Sequence, residues 1–184
     1  MRYVQLTLGL LLVFLVRLVP FRPPNVEPLM ATMMPFAKEF GPIWSMLFPA
    51  LSIVLFDVMT SGLGIWTTIT AATYGLLGIA AYVYFRSRAA SVRNYVSFAI
   101  VATLVYDACT GLTIGPLVWH QPFLAALLGQ IPFTIMHLAG NVLFAAVLSP
   151  VVHRFLTLDH ALLASRHTTA QRRFVGERVT SGLQ

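Results

Sequence analysis

The sequence predicts an all-α integral membrane protein, a six-transmembrane-helix bundle with a short second helix. Three observations carry this expectation. Hydrophobic residues make up 58% of the 184 and charged residues only 10%, with a mean hydropathy of +0.79, far from the balance of a soluble domain. Prolines stand where apolar runs begin, at the first helical position, where a missing N–H costs nothing. The basic residues collect in short polar connections and a tail, as membrane topology requires, so the net charge of +6 is assigned to topology and not to a nucleic-acid partner. Apolar runs fill residues 4 to 156, which defines one membrane-embedded domain (1–156) and leaves 157–184 as a polar C-terminal extension. The single cysteine, Cys109, excludes an intramolecular disulfide and a cysteine metal cluster.

Helix 1 is expected from about Val4 to Val19, ending at Pro20 and the rigid connection "PFRPPNVEP". Helix 2 runs from Pro28 to about Lys38. At roughly 1.5 Å per residue it covers less than a ~30 Å hydrocarbon core and must be sheltered by its neighbours. Helix 3 follows "KEFG" and runs from Pro42 to about Thr60; helix 4 follows "SGLG", from Ile65 to Phe85; helix 5 runs from about Asn94 to Gly111. A short apolar piece, Pro122 to Leu128, then precedes helix 6, Pro132 to about Phe155, with the inner part of the tail as a candidate continuation.

Charge placement orients the bundle. With six spans and an inside N-terminus, Arg2, Lys38, Arg86, Arg88, Arg93, Arg154, Arg166, Arg172, Arg173 and Arg178 are cytoplasmic, and only Arg17 and Arg22 lie outside. A five-span arrangement that merges helices 2 and 3 satisfies the charges equally well. Both agree from helix 3 onward.

That orientation brings polar side chains to one leaflet. Asp57 and Asp107 fall near the outer ends of helices 3 and 5, and Trp66, Thr67, Thr70, His137 and Asn141 in the outer halves of helices 4 and 6. Thr134, His137 and Asn141 share a face by i, i+3, i+7 spacing. Thr103, Asp107 and Thr110 do the same on helix 5, as do Thr67, Thr70 and Tyr74 on helix 4. With six spans, Arg17, Arg22, Asn25 and Glu27 join them. An ionisable group within a span costs several kcal/mol unless it is paired or faces an aqueous cavity, and polar groups at one height on several helices predict such a cavity. Each has a plainer use: a carboxylate near a helix end reaches interfacial water, a membrane threonine bonds back to its own helix, and Trp66 and Trp119 suit an interfacial belt.

Catalytic signatures are missing. There is no G-x-x-x-x-G-K-[ST], H-E-x-x-H, C-x-x-C or G-x-S-x-G, so ATP hydrolysis and zinc or serine hydrolysis lack their usual parts. His120, His137, Asp57 and Asp107 are suitable metal ligands by type, but no two have a tight ligand spacing. The expectation is a non-enzymatic protein without a cofactor.

The proline-rich loop after helix 1, "PNVEP", the short helix, "GPIWSMLFPALSIVLFD", the Thr/Gly-rich helix 4, "YDACTG" and "IPFTIMHLAGNVLFAAVLSP" together resemble the substrate-binding S component of energy-coupling factor transporters, over roughly residues 4 to 156. The resemblance implies a bundle in a prokaryotic cell membrane, both termini cytoplasmic, that binds a vitamin-like micronutrient near its outer face under the loop after helix 1. It also implies partners, a transmembrane coupling subunit and two ATPase subunits. The family commonly carries an alanine-x-x-x-alanine pattern on helix 1, where this chain has only Gly9 as a small residue; helix 4 has Ala71, Gly75 and Gly78, where close helix packing is expected. The ligand expected from Trp66, Tyr74, Tyr106 and the polar groups is water-soluble and partly planar. The alternative is a membrane scaffold similar to the rod-shape-determining membrane proteins, which needs no cavity. A stand-alone secondary transporter would be expected to show an internal repeat, which this sequence lacks. His137 and Asn141 are expected to face Thr67, Thr70 and Asp107, and Ser149, lower on helix 6, to be silent on substitution to alanine.

Overall fold

The computed structural model describes residues 2–19 and 27–181, with side chains described for 4–19 and 27–158. Asn25 and Arg22 therefore lie outside the described residues. The described chain is all helical: α1 (Arg2–Arg17), α2 (Leu29–Phe40), α3 (Pro42–Met59), α4 (Ile65–Phe85), α5 (Val92–Thr113) and α6 (Phe123–Ser181). Among the described residues four stretches are long and apolar enough to cross a membrane: Pro42–Met59, Ile65–Phe85, Val92–Val118 and Phe123–Leu158. The apolar part of α1, Val4–Arg17, is shorter. Large apolar side chains such as Leu55, Leu76, Val101, Met136 and Leu143 point outward, while Thr103, Asp107, His137, Asn141 and Ser149 are buried. This inverts the pattern of a soluble bundle.

Helices 2 and 3 are separate, which removes the merged arrangement. Gly41, at φ +84°, makes the turn between them in a backbone region that suits glycine, and Pro42 opens α3. The short α2 is enclosed as expected: Leu29 through Ala37 are all buried, the signature of a helix apolar all round. Because lipid is as apolar as leucine, close packing holds such a bundle together. Phe36 of α2 stacks on Phe48 of α3, centroids 4.4 Å apart, and a Cβ on Gly9 of α1 would overlap the Phe36 ring. Gly78 serves α3 against α4, where a Cβ would overlap the Ser45 carbonyl. The Ser45 carbonyl has no intrahelical donor, because the residue four further on is Pro49.

Prolines also explain two departures from the expected boundaries. Helix 5 does not stop at Gly111; α5 runs to Thr113 and continues through a π turn, Ile114–Val118. Pro116 cannot donate to Leu112, and the register widens, with Trp119 N–H donating to both Ile114 and Gly115 carbonyls. Pro132 does not open helix 6. The piece expected at Pro122 to Leu128 and helix 6 form one helix with Pro132 and Pro150 inside it. Breaking the backbone there would strand more polar groups in lipid than one proline does.

The helix ends sort into two levels. Lys38 Nζ donates to the Phe85 and Arg88 carbonyls, 3.0 and 2.8 Å, satisfying acceptors left over at the end of α4. His153 of α6 meets Glu39 at 3.2 Å, and Gln5 of α1 donates to the Leu156 carbonyl. Glu27, just before α2, instead meets Tyr74, halfway along α4. From Glu27 to Lys38 and from Tyr74 to Phe85 is the same number of residues, so α2 runs beside only the second half of α4. The first half, Ile65 to Tyr74, extends about 14 Å further at 1.5 Å per residue, and over that length the bundle has no central helix.

Candidate functional site

The space above α2 is a cavity of about 440 Å³. Five of the six helices bring residues to it, with Glu27 just before α2: Arg17 ends α1, Ile53 and Asp57 come from α3, and Trp66 and Thr70 from the start of α4. Tyr106, Thr110 and Gly111 come from α5, Ile114 and Gly115 from the π turn, and Gln130, Phe133 and His137 from α6.

Its ionisable groups are mostly paired. Arg17 Nε lies 3.2 Å from Glu27 Oε2, and its guanidinium sits over the Phe56 ring at 4.0 Å, a cation–π contact. Tyr74 OH donates to Glu27 Oε1 at 3.3 Å. On the far side, His137 Nδ1 donates to Asp107 Oδ1 at 2.6 Å, both side chains 2% exposed. That bond fixes the ring, packed edge-on to Tyr106 and Phe133, and leaves Nε2 as its other nitrogen. Asp57 Oδ2 accepts from the Thr67 hydroxyl at 2.6 Å, and Thr67 Oγ1 also accepts from the Gly64 N–H at the start of α4. Among the described residues no three His, Cys, Asp or Glu side chains group as a metal site.

Of the ten residues singled out from sequence, Arg17, Glu27, Asp57, Trp66, Thr70 and His137 line the cavity. Three stand one layer back. Thr67 braces Asp57, Asp107 braces His137, and Asn141, one turn beyond His137, donates through Nδ2 to Thr103 Oγ1 at 2.8 Å. Asn25 lies outside the described residues. The Thr70 hydroxyl bonds back to the Trp66 carbonyl, the local use expected of a membrane threonine. Gln130, Phe133 and the π turn escaped the sequence reading, because Gln130 and Phe133 flank a proline taken for a helix start. The Gly-Pro pair in "GLTIGPLV" was the available signal for the turn. Ser149 is not silent in the structure: it is buried and donates to the Ala31 carbonyl at 2.8 Å.

Compared with protein-family models, curated proteins and solved structures, the chain matches none of them.

Proposed function

We propose that this chain is the substrate-capturing subunit of an importer of the energy-coupling-factor type, holding a vitamin-like micronutrient in the cavity above α2. A transmembrane coupling subunit and two ATPase subunits would supply the ATP-driven step. The observation that supports this most is the cavity, whose volume falls within the ~300–1,000 Å³ common for small-molecule sites and whose walls combine aromatic faces with charged groups. A scaffold would need no such space. Lys38, Arg86, Arg88, Arg93 and Arg154 belong to the opposite end by helix direction; with that end cytoplasmic, the cavity lies toward the outer face, where a scarce nutrient is met. Asp107 and Thr67 serve as the braces that keep the lining in place, and Asn141 ties α6 to α5. The test is to isolate the tagged protein from its own membranes in mild detergent and identify by mass spectrometry what travels with it. A small water-soluble ring compound together with ATPase subunits is the expected result. Cell-wall synthesis proteins with no small molecule would overturn the reading in favour of the scaffold.

A further inference from the structure

We propose that the molecule held above α2 carries a positive charge, seated on Asp57 and flanked by the rings of Trp66 and Tyr106; this rests on the micronutrient reading and narrows its substrate class. The argument is a charge census of the cavity wall. Arg17 is matched by Glu27 and Phe56, and Asp107 is engaged by His137 at 2.6 Å. Asp57 is 7% exposed and has a hydroxyl partner on one oxygen, but no cation within ion-pair distance among the described residues.

A carboxylate held inside a membrane bundle without a counter-charge is costly. One hydroxyl satisfies a lone pair without neutralising the charge. Thr67 orients the group through Oδ2, and Asp57 lines the same space as Arg17, Trp66 and Thr70. Two further features favour a cation. Trp66 and Tyr106 line the same space, and an aromatic ring attracts a cation through its quadrupole. Among the described residues the one lining arginine has its charge met by Glu27 and the Phe56 ring, so it brings no uncompensated positive charge to the space, although its Nη1 keeps a hydrogen bond to give.

The test uses the purified full chain in nanodiscs and three probes that differ in charge: thiamine as the permanently cationic ring, riboflavin as the neutral one and biotin as the anion. Binding is read by equilibrium dialysis, beside the thermal midpoint of each protein. Thiamine should bind alone among the three. Asp57→Asn should weaken it about 10- to 150-fold, the factor for a charge-assisted hydrogen bond, without lowering the midpoint of the empty protein. Benzyltrimethylammonium should displace thiamine from the unaltered protein, and benzyl alcohol should not, so the answer stands even where Asp57→Asn folds poorly. Tight binding of riboflavin or biotin, unchanged in Asp57→Asn, overturns the charge assignment and leaves the micronutrient reading standing. If the folded protein binds none of the three, both fall.

Discussion

Pro35 sits inside α2 and deprives the Ala31 carbonyl of the N–H that would normally bond to it; Ser149, from α6, supplies the missing donor at 2.8 Å. A side chain more than a hundred residues away thus repairs a backbone defect in a helix with no access to water. Ser149→Ala should therefore lower stability by about 1–2 kcal/mol. The same substitution made together with Pro35→Ala should cost far less, because the restored N–H takes over the carbonyl; thermal midpoints of the two single variants and the double variant measure the coupling. Asn141 and His137 divide along a similar line. Asn141 is fully buried on Thr103, so Asn141→Leu should act on stability, by about 1–3 kcal/mol, with affinity per folded molecule nearly unchanged. His137→Leu should lower affinity as well, since its ring lines the cavity. Dialysis beside thermal melts separates the two. The i, i+3, i+7 spacing was enough to put both on the inner face of α6, but it carries no information on depth. The one turn that separates a wall residue from one buried between helices depends on where α2 begins, which no local pattern on α6 encodes.

At the scale of the element, α3 and α4 lie close because two local rules coincide. Pro49 leaves the Ser45 carbonyl without a donor, and Gly78 presents a bare Cα to it. Gly78→Val should separate the pair and destabilise the bundle by about 1–3 kcal/mol or more. The neighbouring Gly75→Ala should be mild, since its Cβ would meet Met46 Cγ at 3.4 Å. Thermal midpoints in detergent rank the two. The same region shows how far proline and glycine can be read. Pro42 after Gly41 marked a helix start correctly, because Gly41 breaks the preceding helix with a positive φ. Pro132 has no positive-φ glycine before it, Gly129 being helical, and lies inside α6. A membrane helix reads past a proline when nothing before it ends the helix.

For the whole molecule, the apolar composition and the spacing of the runs specified an all-helical bundle, and the shortness of α2 was plain from its length. That this shortness opens a cavity was not legible in the residues of α2, because the space is defined by how far α4, α5 and α6 extend beyond its first turn. The sequence has no G-x-x-x-x-G-K-[ST] pattern, and the proposed function makes the chain a capturing subunit. Reconstituted alone in liposomes with ATP inside, it should bind its substrate without accumulating it. Concentrative uptake by this chain alone would overturn the importer reading.

The enclosure of α2 has a consequence for the order in which the protein matures. Its walls include α6, and the donor that completes its backbone, Ser149, lies near the end of the membrane domain. While the ribosome is still making α3, α4 and α5, the second helix has no lasting place: it is too short to span and one of its carbonyls is bare. The native core must therefore close after synthesis has passed residue 149. A nascent chain arrested at Trp119 should leave the α2 region open to protease or to thiol labelling of a cysteine introduced at Met33, whereas the released full chain should protect it. Quality control in the membrane would then act on the last span, and substitutions on α6 far from the cavity could lower the amount of protein without touching what it binds.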